Sequence, residues 1–247
     1  SSDIKKIYII GQDYSFGQVV SDTSIALLRE KRPDIEIVGN EFHPIGQVKD
    51  FTPYVTKIVS SDADAVITGN FGADMVSLAR SIIDSGLDIP IYTFYAAYDG
   101  ITATLGADGV DKIYLVHNDA GNPLPTEERL AYTRNFKRLN PNNDMTQFRI
   151  TNALQMLVQA MEASQSTDPY DIALALEDMR FTNMSGEELW MRGEDHQMIQ
   201  PLHISVHTDQ NIVVDADNSG FGLYRDFSVA GDETVVDHSC RMRRPRR

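Results

Sequence analysis

The sequence predicts an α/β fold: a parallel sheet flanked by helices, with part of a second lobe attached. Short apolar runs recur through residues 3–117, and each is followed by a stretch long enough for a helix. Those stretches carry apolar residues at helical spacing, and Gly, Pro or Asn closes most of them. Strands separated by helices of this length imply βαβ units with right-handed crossovers.

The elements follow in order. Ile7-Tyr8-Ile9-Ile10, ending at Gly11, is a buried-strand run. A helix is predicted over 16–32, with Phe16, Val20, Leu27 and Leu28 near one face and Pro33 as its stop. A strand over 35–38 precedes a helix over 53–60, where Tyr54, Val55, Ile58 and Val59 share a face. Ala65-Val66-Ile67-Thr68 is the third strand. The helix over 73–85 is amphipathic and closes at Gly86. A strand over 89–94, a short helix over 101–105 and a strand over 112–116 complete the unit.

The pattern then changes. Asn122-Pro123-Leu124-Pro125 reads as a linker, Thr126-Glu127-Glu128 as a helix start followed by 130–139, and further helices are predicted over 145–163 and 170–179, with a turn over 140–143. Three helices without an intervening strand cannot extend the same sheet, so they need another apolar surface. Strand-like text returns over 188–191 and 201–208, where Leu202, Ile204 and Val206 alternate. Asp209-Gln210-Asn211 predicts a hairpin into Ile212-Val213-Val214, and from Asp215 onward the pattern is weak. The predicted division is 3–117 with 184–240 as one lobe, 126–180 as helices of a second, incomplete lobe, and 241–247 as a disordered basic tail.

Composition narrows the function classes. The 247 residues carry 22 Lys and Arg against 36 Asp and Glu, a formal charge of −14. The last seven residues hold five arginines and no acid, so the body is more acidic still. Such a body repels phosphate backbones, and no nucleic-acid partner is expected. No apolar run approaches the roughly 20 residues that span a bilayer. The first residues show no signal-peptide pattern, a form that a mature or trimmed extracytoplasmic chain also has. The single Cys240 excludes an internal disulfide framework and a Cys-based zinc site, and is more plausibly paired outside this chain.

In an open parallel sheet, ligands bind beyond the carboxyl ends of the strands, at the switch point. For strand order 2-1-3-4-5 the switch lies between the first and third strands. The loops there are Gly11-Gln12-Asp13-Tyr14-Ser15-Phe16-Gly17 and Gly69-Asn70-Phe71-Gly72, with Tyr95-Ala96-Ala97-Tyr98-Asp99-Gly100 next to them. All three are rich in aromatic residues and glycine, the make-up of a small-molecule cleft. The plain alternative is that Phe16 and Phe71 only pack helix N-termini onto the sheet.

Catalytic signatures are missing. There is no G-x-x-x-x-G-K-[ST], no G-x-G-x-x-G and no G-x-S-x-G, so neither a phosphate cradle nor a nucleophile elbow is expected, nor a cofactor. His196, His203 and His207 lie close in sequence, but no acid at ligand spacing accompanies them; solvated or core-edge histidines are preferred over zinc. The run from Asp215 to Gly220 with Asp226 resembles a calcium loop, yet its flanks are not helical and a polar turn explains the same letters.

Lys6-Ile7-Tyr8-Ile9-Ile10 followed by Asp13-Tyr14-Ser15-Phe16-Gly17 resembles the start of the second lobe of type I periplasmic binding proteins, closest to the branched-chain amino acid group of ABC-transporter solute-binding proteins. The run from Asp62 to Gly69, Pro90-Ile91-Tyr92-Thr93, the run from Arg192 to Gln197 and the run from Cys240 to Pro245 extend the resemblance over nearly the whole chain. It implies a periplasmic-binding-protein-like I fold and a periplasmic, non-enzymatic receptor. That receptor closes on a small-molecule solute between two lobes and docks on an ABC-transporter permease. A ligand-sensing regulator of the same fold is the alternative. The ligand-binding residues it implies, taken with the switch-point loops, are Tyr14, Phe16, Asn70, Phe71, Tyr95, Ala96 and Asp99. Amino-acid-binding members place an acid near the third loop for the ligand ammonium; here the matching stretch is Tyr95-Ala96-Ala97 and the nearest acid is Asp99. An aromatic or aliphatic carboxylate or an amide-type solute fits the same pocket. The resemblance also implies that this chain begins where lobe two begins. The helices over 126–180 would then be lobe-one helices lacking their sheet and open to association, and the chain alone would bind solute weakly. The missing lobe-one part is either absent from the chain or supplied by another.

Overall fold

The computed structural model describes residues 3–97, 100–119, 121–123, 126–141, 148–213, 215, 217–240 and 242–244. Its strands are β1 (Lys6–Gln12), β2 (Glu36–His43), β3 (Ala65–Thr68), β4 (Ile91–Thr93), β5 (Ile113–His117), β6 (Arg180–Thr182), β7 (Glu188–Met191), β8 (Met198–Ile199), β9 (Leu202–Thr208) and β10 (Gly222–Val229). Its helices are α1 (Ser15–Lys31), α2 (Thr52–Ser60), α3 (Gly72–Asp84), α4 (Ile101–Leu105), α5 (Glu127–Leu139), α6 (Phe148–Ser164) and α7 (Pro169–Leu176). The chain divides into two compact units. Unit 1 is Ser1–His117, Gly121–Pro123 and Ile204–Asp226; unit 2 is Asn118–Ala120, Leu124–His203 and Phe227–Arg247. The strand-rich return after residue 184 is thus shared between them.

The α/β class holds. Unit 1 is built on a seven-stranded sheet of order β10-β9-β5-β4-β3-β1-β2. From β2 to β5 every neighbouring pair is parallel, so the 2-1-3-4-5 order places the switch between β1 and β3. The central strands lie between two apolar layers, which is why β1 reads as a continuous apolar run. Tyr8, Ile10, Val66, Ile91, Ile113 and Leu115 share one core with Phe51, Val55 and Ile58 around α2 and with Met75, Leu78 and Ile82 of α3. Ile7, Ile9 and Ala65 share the other with Ile25 and Leu28 of α1. α3 stops where Gly86 takes φ +81°, the left-handed turn that closes a helix at little cost for glycine.

Several expectations are corrected. β2 runs on to His43 through Gly39, Asn40 and Glu41; as an edge strand it needs no continuous apolar run. Ile212 and Val213 form no strand. The Val213 amide donates to the Asn122 side chain (3.0 Å), and the strand comes later, as β10. Val214 lies outside the described residues, as do 142–147, 124 and 125 from the predicted turn, helix start and linker. α7 ends at Leu176, short of the predicted 179.

Within unit 2, α6 lies against a small sheet. β6, β7 and β8 form an antiparallel three-stranded sheet. Met156 of α6 packs with Phe181 and Leu189 of that sheet, and Leu176, Met179, Met191 and Met198 surround them. Elsewhere on α6, Ile150 (54%), Leu154 (57%), Leu157 (39%) and Val158 (51%) are exposed. Of the basic tail, Arg244 donates twice to Glu177 (2.7 and 2.6 Å), while Arg241 and 245–247 lie outside the described residues. Among the described residues no helix is long and apolar enough to cross a membrane.

Candidate functional site

The three switch-point loops meet within unit 1. The β1–α1 turn is tight: a Cβ on Gly17 would lie 2.0 Å from the Gln12 carbonyl oxygen, so only glycine fits. This turn sets Tyr14 and Phe16 at the carboxyl end of β1. After β3, the Asn70 amide donates to Thr68 Oγ1 (3.1 Å), and Phe71 enters α3. After β4, the Tyr95 amide donates to Thr93 Oγ1 (3.3 Å) in the same way.

The result is a cluster of five rings. Tyr14 lies 6.2 Å from Phe16 and 6.0 Å from Phe71, centroid to centroid; Phe16 lies 6.1 Å from Phe94 and 5.5 Å from Tyr95; Phe71 lies 5.9 Å from Tyr95. Most are tilted or edge-to-face, the geometry that ring quadrupoles favour. Phe71 keeps 39% of its surface exposed, so the cluster presents a ring face rather than a sealed core. Burial, and then the neighbouring Tyr95, pushes the Tyr14 hydroxyl up from its ordinary value, so at neutral pH it stays a neutral donor and acceptor.

Two helices begin here. The residues before α1 and α3, Tyr14 and Phe71, are extended, and neither caps its helix with a side chain. Each helix start is a centre of partial positive charge. Exposed aromatic surface beside the start of α1 suits a small molecule with an apolar body and an anionic group, while Asp74 in the first turn of α3 offsets the charge of that helix end.

The structure brings together four of the seven predicted residues: Tyr14, Phe16, Phe71 and Tyr95. Asn70 is fully buried, with its side-chain oxygen 3.0 Å from His43 Nε2. Ala96 is fully buried in the larger core. Asp99, with Tyr98, lies outside the described residues. Sequence reasoning missed Phe94, which closes a predicted strand; the aromatic density after β4 was the available signal. It also missed Gln12, His43 and Asp74, whose roles rest on contacts with residues distant in the chain.

Among the described residues no group of three or more His, Cys, Asp or Glu side chains could hold a metal ion. His203 contacts Glu187 (2.9 Å) and Ser228 (2.8 Å), and His207 Nε2 lies 2.8 Å from the Gly106 carbonyl oxygen. Asp215 accepts from the Ser219 and Gly220 amides and Asp217 from the Ser219 amide, as in a polar turn. Cys240 is exposed. A cavity of about 560 Å³ elsewhere in unit 1, beside Tyr8, Gly39, Glu41 and Lys57, includes none of the five rings.

The sequence pattern of the family described as "Periplasmic binding protein" matches residues 1–210. The chain is 27% identical over 248 residues to the Leu/Ile/Val-binding protein homolog 4 of Brucella abortus (strain 2308), covering 98% of this chain and 58% of that one. Among solved structures it resembles the leucine-, isoleucine-, valine-, threonine- and alanine-binding protein of Brucella ovis in its closed conformation. There the TM-score is 0.87 at 25% identity, over 98% of this chain and 62% of that one. It shares the fold of a Rhodopseudomonas palustris HaA2 ABC-transporter solute-binding protein crystallised with p-hydroxybenzoic acid, with TM-score 0.74 and 17% identity over 93% of this chain and 61% of that one. The chain thus spans less than two thirds of the length of these relatives.

Proposed function

The chain belongs to the periplasmic binding protein family, and from that membership we propose that it acts as the extracytoplasmic solute receptor of an ABC importer. In this reading it is a binder rather than a catalyst. It works in the periplasm and delivers its cargo to a membrane permease. The solute is a small amino-acid-like molecule or carboxylate, with Tyr14, Phe16, Phe71 and Tyr95 as ring contacts. Asn70 and Ala96 shape the loops behind them, and Asp99, the acid nearest in sequence to Tyr95-Ala96-Ala97, is the candidate for a ligand ammonium.

The observation that carries the reading is the cluster of five rings at the β1/β3 switch point, beside the start of α1, which has neither a side-chain cap nor an acid in its first turn. Aromatic surface there takes an aliphatic or aromatic body, and the helix end takes an anionic group. The names of the Brucella relatives support leucine, isoleucine and valine as candidates. The exposed stripe on α6 supports association through that helix.

The test is mass spectrometry of small molecules released when the full-length protein is denatured, followed by thermal shift with L-leucine, L-isoleucine, L-valine and benzoate. A co-purifying amino acid or carboxylate that raises the melting temperature is expected. A protein that releases nothing and shifts with none of the four would refute the reading.

A further inference from the structure

Behind the aromatic cluster lies a buried polar group. Gln12, at the end of β1, is 2% exposed, and Asp74, in the first turn of α3, is 5% exposed. The Gln12 carboxamide grips both backbone groups of Phe71. Its oxygen accepts from the Phe71 amide (3.3 Å), and its nitrogen lies 3.4 Å from the Phe71 carbonyl oxygen. The same nitrogen donates to Asp74 Oδ2 at 2.7 Å. That oxygen also accepts from the Gly46 amide at 2.7 Å, which ties in the loop between β2 and α2.

Buried polar groups cost free energy unless their hydrogen bonds are made, and an apolar pair here would leave the Phe71 and Gly46 amides without these acceptors. What the polar pair supplies is directional. Phe71 enters α3 in an extended conformation with no side-chain cap, and its ring keeps 39% of its surface open. Ring packing alone leaves such a residue free to swing. A carboxamide bonded to its amide and held from behind by a carboxylate fixes where the ring stands.

We propose that Gln12 and Asp74 form a positioning latch that holds Phe71 in the solute-binding cluster and couples it to the loop at Gly46. This rests on the solute reading above. Neither residue touches solute; both act through Phe71.

The test breaks the latch and then keeps it. Gln12→Glu sets two carboxylates against each other, and Asp74→Leu removes the oxygen that accepts from both Gln12 Nε2 and the Gly46 amide. Asp74→Asn is the conservative variant: its side-chain oxygen can accept from both donors. Two readouts are taken on the full chain. Amide exchange of Phe71 and Gly46, measured without solute, reports the latch itself. Titration with the member of the four-compound panel that shifts the wild type reports its effect on binding.

Gln12→Glu and Asp74→Leu are each expected to speed both amides and to weaken binding by roughly tenfold, the scale of one or two buried hydrogen bonds. Asp74→Asn is expected to keep both within about threefold of the wild type. Variants that loosen the amides but bind as the wild type does overturn the positioning role, as does a folded Asp74→Asn that weakens binding as much as Asp74→Leu. If the wild type binds none of the panel while the amides respond as stated, the solute reading falls, and the role in binding falls with it.

Discussion

Gly17 has no room for a side chain, because the Gln12 carbonyl oxygen stands where its Cβ would be. Gly17→Ala is therefore expected to lower unfolding free energy by about 1–3 kcal/mol in urea titration, as overpacking at a rigid site does. Phe71 is the opposite case. Its ring is open to solvent, so Phe71→Ala is expected to leave the melting temperature within a few degrees while weakening solute affinity by about tenfold or more in calorimetry. His207 makes a pH prediction. Burial holds its imidazole below the ordinary histidine value, against the milder opposing pull of the Gly106 carbonyl, Asp209, Asp217 and Asp111. Its Nε2 meets the Gly106 carbonyl, and Nδ1 has no hydrogen-bond partner among the described residues. The fold thus prefers the neutral ring. Its stability contribution is present above pH near 6.5 and is lost as pH falls through that value and below, because the unfolded chain takes up the proton first. Melting temperature is expected to drop between pH 7.5 and 5.5 more steeply in the wild type than in His207→Gln, which keeps a donor for Gly106.

Helices show how local chemistry sets boundaries and how burial decides roles. α5 starts at Thr126, whose hydroxyl accepts from the Arg129 amide (3.1 Å) and donates to the Met184 carbonyl (2.5 Å). α7 starts at Asp168, which accepts from the Tyr170 amide (2.9 Å). Asp168→Ala is expected to cost about 1 kcal/mol, read by chemical denaturation, as losing an N-cap does. α6 carries apolar residues on two faces. Met156 faces the three-stranded sheet, while Ile150, Leu154, Leu157 and Val158 remain exposed at spacings of four, seven and eight from the first. If that stripe drives association, Leu154→Lys with Val158→Lys will shift light-scattering mass toward the monomer without lowering the melting temperature; unchanged mass would refute the role of α6. The limits of sequence reading also appear at this scale. β3, α4 and β7 fall on the predicted residues because an apolar run bounded by turn letters has one local solution. β6 and β8, at three and two residues, are too short to show a period, and β10 carries Arg225, Asp226 and Ser228 within it. Those strands form because neighbours across the sheet supply hydrogen bonds, which no window of sequence contains.

At the scale of the molecule, the parallel order β2-β1-β3-β4-β5 turns three separate loops into one site. If solute binds there as proposed, it stabilises the folded state by mass action, and a ligand at a hundred times its dissociation constant adds about 2.7 kcal/mol, visible as a higher melting temperature. The sequence by itself determined the α/β class and the three loops that follow β1, β3 and β4, because hydrophobic periodicity and turn residues act over a few neighbouring positions; the strand order entered as the common one, and strand pairing in the folded sheet decided it. Only the tertiary structure decided which side chains in those loops face outward. Phe71 stands open, while the adjacent Asn70 turns inward to His43 and Ala96 joins the core. It also decided that Gln12 meets Asp74 across 62 positions of chain and the Phe71 amide across 59. Such pairs depend on strand register and on how each helix start is seated against the sheet. Both are settled when the whole core packs at once, and neither leaves a local mark in the sequence.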